Sequence, residues 1–171
     1  MGLSASKRVA LALHNSPEFN AASESAYTQC LSLAQHAFPG VKTYQLFTAT
    51  ENLHHTLFRS LPLISKWVPH PPNREQVDRA CKIVLSRRSV RQVDSDESLL
   101  DEVEFKAFAM EVFTDAVVSN AGKEVLKRVP LGVAGIAGVG LIVKPGKEIL
   151  GAAIGAYALG VATSIYLSLA G

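Results

Sequence analysis

The sequence predicts an all-α protein, with a charged helical domain at residues 1–128 and a Gly/Ala-rich C-terminal membrane helix or helical hairpin at residues 129–171. Apolar residues recur at helical spacing along the first part, and no segment alternates apolar and polar residues as a strand would. Residues 129–171 contain only three charged side chains, Lys144, Lys147 and Glu148, whereas residues 1–128 contain 29. The shortage of charge therefore lies in one segment, which we expect to meet lipid.

Two helices are predicted between residues 17 and 59. Ser16-Pro17-Glu18 is typical of a helix start, because serine caps free N–H groups, proline fits the first turn and an acid favours the N-terminus. Apolar residues follow at helical spacing to Ala37, and Pro39-Gly40 predicts the end of this helix. A second helix is expected over about residues 44–59.

Two further helices are predicted before the apolar tail. The prolines of residues 62–72 predict a loop that contains Trp67. Asn73 is placed to cap a third helix, which we expect to end at about Leu85. A fourth helix is predicted over about residues 99–126. Its inner stripe is expected to contain Phe105, Phe108, Val112, Phe113, Ala116 and Val117.

The segment between the third and fourth helices resembles a calcium-binding EF-hand loop. Such a loop has twelve positions, with alternating oxygen ligands, a glycine at the sixth and a bidentate glutamate at the last. Here Leu99 replaces the glycine, and the stretch from the first acid to the glutamate is one residue short. We therefore predict a degenerate EF-hand-like helix-loop-helix at about residues 74–118 that has lost tight calcium binding. The candidate ligands are Asp94, Asp96, Ser98 and Glu104.

The charge changes sign across the same region. Basic side chains dominate residues 74–91 and acidic ones dominate residues 94–104. This pattern is typical of two solvated helix faces with a polar loop, and a lipid or partner patch is the alternative for the basic half. Ser89 follows Arg87-Arg88 and is a candidate phosphorylation site, where a phosphate would weaken contact with an anionic surface.

The C-terminal tail carries the most specific pattern in the chain. Residues 149–170 lack charge, and as a helix they would be about 33 Å long, enough for the roughly 30 Å bilayer core. Small residues at four-residue spacing let helices approach closely in lipid. They predict a packing face for a protein partner or a second copy of the chain, formed by Gly151, Ala152, Gly155, Ala156, Gly160 and Ser164.

Residues 129–143 are harder to place, because a helix of that length is about 22 Å long and short for a span. They form the first half of a tilted hairpin whose glycines face those of the tail, or an interfacial segment, or part of a buried soluble hairpin. A single span gives a tail-anchored protein, whereas two spans put residues 144–148 across the membrane. In both spanning topologies residues 1–128 face the cytosol from an intracellular membrane.

The N-terminus offers a second candidate anchor. Gly2 and Ser6 fit the pattern for N-myristoylation, and Lys7-Arg8 follow. One acyl chain binds membranes weakly and needs a second signal for stable anchoring. Cys30 and Cys81 are expected to be buried thiols in a reducing compartment rather than a disulfide.

Several activities are disfavoured by the sequence. The net charge of +2 is too small for an electrostatic nucleic-acid binder. Residues 140–148 depart from a phosphate-binding loop in spacing and lack its Ser/Thr. Glu51-Asn52-Leu53-His54 is a single Glu-x-x-His, so we interpret it as a polar helix face rather than part of a di-iron site. We expect a non-enzymatic protein with no cofactor, unless calcium binds the degenerate loop.

The chain also resembles a plant family of small membrane proteins, some of them described as EF-hand-like. The resemblance rests on Ser16-Pro17-Glu18-Phe19, on the Gln35-His36-Ala37-Phe38-Pro39-Gly40 turn, on Glu104-Phe105 and on the Gly/Ala tail. It covers most of the chain and implies a eukaryotic intracellular membrane protein. It implies no activity, and no functional residue carries over from it.

Three hypotheses follow from the sequence. The first is a membrane-anchored, non-enzymatic helical protein that acts as an adaptor or structural component of a membrane complex. The second is a calcium-responsive regulator that uses the EF-hand-like loop. The third is a soluble all-α domain in which the apolar tail is buried as the core.

Overall fold

The computed structural model describes residues 4–88, 99–143 and 147–169, and it is all-α as predicted. Its helices are α1 (Ala5–His14), α2 (Pro17–Leu33), α3 (Leu46–Ser60), α4 (Pro62–Trp67), α5 (Arg74–Arg88), α6 (Glu102–Val143) and α7 (Lys147–Ser168). Two short strands, β1 (Val41–Lys42) and β2 (Leu99–Leu100), pair antiparallel, and a 3-10 turn (Thr43–Gln45) precedes α3.

Side-chain caps begin four of the described helices, and at α6 the Asp101 carboxylate accepts the N–H of Glu104 at 2.8 Å. The Ser16 hydroxyl accepts the N–H of Phe19 at 3.1 Å, and Asn73 Oδ1 accepts the N–H of Gln76 at 2.9 Å. The Ser4 hydroxyl accepts a weaker bond, at 3.3 Å, at the start of α1. The predicted helix starts at Ser16 and Asn73 are thus confirmed, since each supplies an oxygen to an otherwise free N–H group.

Two predicted helix ends are wrong. The second helix in the structure, α2, ends at Leu33 and not at Pro39-Gly40, because the next residues include Gln35 and His36 with φ of 51° and 54°. A right-handed helix cannot continue through that conformation. The fourth predicted helix does not stop near residue 126, since α6 runs on to Val143.

The loop predicted around Trp67 is also only partly a loop. Residues 62–67 form α4, which starts at Pro62 because proline is favoured in the first helical turn. The Asn120 side chain of α6 donates to the Trp67 carbonyl at 2.8 Å, so the end of α4 is tied to α6. Burial of Trp67, Leu63 and Ile64 against the core stabilises this short helix.

The first half of α6 is the central helix of the core. Its predicted inner stripe is confirmed, because every member of that stripe is buried. The Phe19 ring of α2 meets the Phe113 ring edge to face, with 6.4 Å between centroids. Such contacts, together with the buried apolar area, hold α2, α5 and α6 in one domain.

The domain contains two similar helix–loop–helix units, joined by the strand pair. The first unit is α2, β1 and α3, and the second is α5, β2 and α6, with Val41 opposite Leu100. Four residues after the paired position, Gln45 accepts the N–H of Lys42 at 3.0 Å in the first unit. At the same spacing in the second unit, Glu104 accepts the N–H of Asp101 at 3.1 Å.

The buried faces of α3 and α6 follow the same register from these two residues. In the first unit the buried positions include Leu46, Ala49, Leu53, His54 and Leu57. The positions 59 residues later are also buried: Phe105, Phe108, Val112, Phe113 and Ala116. The two units therefore present equivalent helix faces to one shared core.

The C-terminal part of the chain is a helical hairpin. Helix α6 passes residue 128, the predicted domain boundary, without a break and continues through Pro130. Helix α7 then returns antiparallel along α6. A proline inside a helix removes a hydrogen bond and costs about 3 kcal/mol, and α7 packs along α6 in this part of the chain.

Candidate functional site: an exposed apolar hairpin

The outer surface of the hairpin is apolar and uncovered. The stretch Glu148–Ser168 is long and apolar enough to cross a membrane, and only 6% of it is buried. Leu131 of α6 and Leu159 of α7 are 75% and 70% exposed. Exposing such side chains to water costs about 25 cal/mol per Å², and contiguous apolar patches of this kind mark contacts with lipid or protein.

On the inner face of the hairpin, the aromatic side chain of Tyr157 on α7 packs against α6. The Tyr157 ring lies against Gly132, where a Cβ would overlap the ring. The Tyr157 hydroxyl donates to the carbonyl of Arg128 at 3.3 Å. Glycine at residue 132 therefore lets the two helices approach, and the pair sets their register.

The base of the hairpin is docked on the domain. Ile165 and Leu169, near the end of α7, are buried in the same core as Val9 of α1. The guanidinium carbon of Arg8 lies 4.9 Å from the centre of the Tyr166 ring, a cation–π contact between α1 and α7. The end of α7 thus lies beside the domain.

The predicted packing face on α7 points outward. Every one of its members is exposed: Gly151, Ala152, Gly155, Ala156, Gly160 and Ser164. A Cβ added at Gly151, Gly155 or Gly160 would meet nothing within 4 Å. The expectation that the glycines of the two runs face each other is therefore wrong, because Gly132 faces Tyr157. The row leaves a helix surface available to another chain, and its role as a packing face stays a prediction.

Of the four predicted calcium ligands, the structure describes Glu104. Its carboxylate is bound by the Arg88 side chain. Arg88 Nε donates to its carboxylate at 2.5 Å, and a second Arg88 nitrogen forms an ion pair with it. The hydrogen bond from Arg88 lowers the pKa of the Glu104 carboxyl. Asp94, Asp96 and Ser98 lie outside the described residues, as do Gly2 and the candidate phosphorylation site Ser89.

The described side chains bring together no candidate metal centre. Among residues 4–88, 99–143 and 147–169, no group of three or more His, Cys, Asp or Glu side chains could hold a metal ion. Cys30 and Cys81 are free and buried as predicted, and burial raises the pKa of both thiols. Their thiolate forms are therefore disfavoured at neutral pH, which lowers their reactivity.

His54 does not lie on a polar helix face, so that interpretation of the Glu-x-x-His pattern is wrong. Its ring is buried, and Nε2 lies 2.7 Å from the carbonyl oxygen of Val68. The partner lies just after α4, fourteen residues away, so no local pattern could have revealed it. The neighbouring His55 is exposed, as expected for adjacent residues on a helix.

A shallow groove of about 200 Å³ lies between α2 and α3. Cys30 and Ala49 contribute to its floor, and the exposed Leu33 and Tyr44 to its rim.

Comparison of the chain with family models, curated proteins and solved structures finds no match. The plant-family resemblance therefore stays a prediction, and the exposed apolar hairpin defines the site.

Proposed function

We propose that this protein is a membrane-anchored, non-enzymatic helical protein, whose domain acts as an adaptor or structural component of a membrane complex. The observation that supports the proposal is an apolar helix, Glu148–Ser168, with only 6% of its length buried. An apolar surface of that size is stable when lipid covers it. The domain, with residues 1–128, then faces the cytosol.

The contacts within the hairpin favour entry from one side rather than a single span by α7. Tyr166 is nine residues beyond Tyr157, and Lys123 is nine residues before Gly132, so antiparallel packing puts Tyr166 and Lys123 at one level. If α7 crossed the bilayer to residue 168, Lys123 and Lys127 would be carried into the hydrocarbon. Each such charge costs about 2.5–3.5 kcal/mol or more.

The apolar part of the hairpin therefore begins after Arg128. From there to Val143, α6 is about 22 Å long, less than the roughly 30 Å bilayer core. We infer a hairpin that enters from the cytosolic face and returns to it, with local thinning of the bilayer if its turn reaches the far side. Both ends of the described chain then lie on the cytosolic side.

Extraction of membranes with alkaline carbonate tests the anchoring. The full chain is expected to stay in the membrane pellet and to enter the soluble fraction only with detergent. Leu131→Glu/Leu159→Glu places charges on the outer face of both hairpin helices, and we expect it to shift the protein to the supernatant.

A matched control uses leucines of the domain, where Leu11 and Leu33 are 48% and 68% exposed. The variant Leu11→Glu/Leu33→Glu carries the same charge change and should stay in the pellet. Release of the unmodified chain by carbonate would contradict the proposal and favour the soluble alternative.

A calcium-responsive regulator is the second candidate, favoured by the two helix–loop–helix units with paired strands. Against it, Arg88 and the Asp101 N–H already occupy the Glu104 carboxylate. We propose that Arg88 acts as an internal cation and binds the Glu104 carboxylate, which a calcium loop would need to be free. Calorimetry should then give no calcium heat at submillimolar concentration, whereas a saturable heat with a spectral change would establish the second candidate.

A further inference from the structure

The end of the domain that carries the hairpin is lined with cations. Lys123, Lys127 and Arg128 lie in the last charged turns of α6, and Lys7 and Arg8 lie in the first turns of α1. Residues 4–13 and 116–128 contain one acidic side chain, Glu124, which pairs with Arg128 at 2.8 Å. These five basic residues are called the basal collar below.

Distances place the two parts of the collar at one level. Arg8 lies 4.9 Å from the Tyr166 ring, and Tyr166 is level with Lys123 by the register that Tyr157 and Gly132 set. Lys127 is one helical turn farther toward the hairpin, about 6 Å along the axis. The collar therefore surrounds the base of the hairpin, where the apolar surface begins.

The exposed face of α6 changes from charged to apolar over a single turn. Lys123, Lys127 and Leu131 follow each other at four-residue spacing on this face, and all three are exposed. Side chains four residues apart lie above one another on a helix. Lys127 is thus the last charge on this face of α6, one turn before the apolar surface begins.

We propose that the basal collar binds the headgroups of anionic phospholipids, so that the hairpin enters membranes whose cytosolic surface is negatively charged. This inference rests on the proposed anchoring by the hairpin. Lysines next to a membrane contribute about 1 kcal/mol each on an anionic surface, or about fivefold in partition per residue. Lys123 and Lys127 together account for about a 25-fold preference.

The test uses the full chain, synthesised in a cell-free system with preformed vesicles of phosphatidylcholine, alone or mixed with phosphatidylserine. The fraction that floats with vesicles is measured against lipid concentration. With phosphatidylserine present, the unmodified chain should float at a lipid concentration at least about 25-fold lower than with phosphatidylcholine alone. Raising the salt concentration should reduce that preference, because salt screens exposed charges.

Three variants separate the collar from general charge effects. Lys123→Gln/Lys127→Gln should lose most of the preference and still float with either vesicle, whereas Lys123→Arg/Lys127→Arg should keep the preference. Lys82→Gln/Lys106→Gln removes the same charge from α5 and the start of α6, and it should behave as the unmodified chain. Lys106 is about 26 Å along α6 from Lys123.

The outcomes distinguish this proposal from the anchoring itself. Equal flotation with neutral and anionic vesicles, or an equal loss in the Lys82/Lys106 control, would overturn the collar and leave the hairpin anchor intact. Failure to float with either vesicle would overturn the anchor, and the collar with it.

Discussion

Tyr157 holds the two helices of the hairpin in register through Gly132. The ring of Tyr157 fills the space that a side chain at residue 132 would take, and its hydroxyl reaches the Arg128 carbonyl at 3.3 Å. This contact lies just beyond the last charge of α6. It therefore fixes which residues of α7 lie level with the charged surface and which lie beyond it.

Substitution of Gly132 should open the hairpin. In Gly132→Leu the new side chain displaces the Tyr157 ring and separates α6 from α7, because that ring already fills the space beside residue 132. Spin labels on Leu131→Cys and Leu159→Cys, measured in detergent micelles, should report a longer and broader distance. The buried thiols of Cys30 and Cys81 do not compete for the label.

Gly135→Leu is the matched control for that experiment. It makes the same change one turn along α6, where a Cβ would meet nothing within 4 Å. Its spin-label distance should equal that of the unmodified hairpin. Equal distances in both glycine variants would show that Tyr157 does not set the register.

Loss of Arg88 should weaken the second helix–loop–helix unit. The Arg88 and Glu104 side chains are only 8% and 20% exposed, so Arg88→Gln leaves a carboxylate with poor solvation. We expect a loss of about 2–3 kcal/mol in unfolding free energy at pH 7, measured by urea with Trp67 fluorescence in micelles. Arg79→Gln, which breaks the more exposed pair with Asp115, should cost about 0–1 kcal/mol.

The same pair predicts a pH dependence. Arg88 lowers the pKa of Glu104 from its ordinary value of 4.5, so the folded state holds the carboxylate charged more strongly than the unfolded state. This stabilisation is complete above that value and is lost as the pH falls through the lowered pKa. The difference between the unmodified chain and Arg88→Gln should therefore shrink in acid, and a difference independent of pH would contradict the ion pair.

His54 should prove a structural residue. His54→Leu removes the partner of the Val68 carbonyl and should cost about 1–3 kcal/mol in unfolding free energy, measured as above. His55→Leu, at the exposed neighbouring position, should change it by less than about 0.5 kcal/mol. If both variants unfold alike, the bond between His54 and Val68 contributes nothing measurable.

The helices with local signals could be predicted, and contacts between distant segments could not. Ser16 and Asn73 predict helix starts, and the spacing of apolar residues around Phe105 predicts the buried face of α6. The pairing of Val41 with Leu100 joins loops 59 residues apart, and each strand is two residues long, too short to show alternation. The similarity of the two units is thus evident only once the chain is folded.

In the hairpin, too, the local feature could be predicted from the sequence and the contact between the two helices could not. The lack of charge in the tail predicted an apolar helix, and the structure contains one. The spacing of glycines suggested that they face each other, but Tyr157 takes that place at Gly132. The drop in charge after residue 128 predicted a domain boundary there, and α6 runs through that position without a break.

Labelling of single cysteines in sealed vesicles tests the membrane hairpin most directly. Ser4→Cys, Leu131→Cys, Leu159→Cys and Leu167→Cys place one exposed thiol each on α1, the two hairpin helices and the end of α7. With a maleimide that cannot cross membranes, we predict labelling from outside at residues 4 and 167 and protection of residues 131 and 159 until detergent is added. Protection of residue 167 with labelling of residue 4 would contradict the hairpin in favour of a single span, and labelling of all four would contradict membrane insertion.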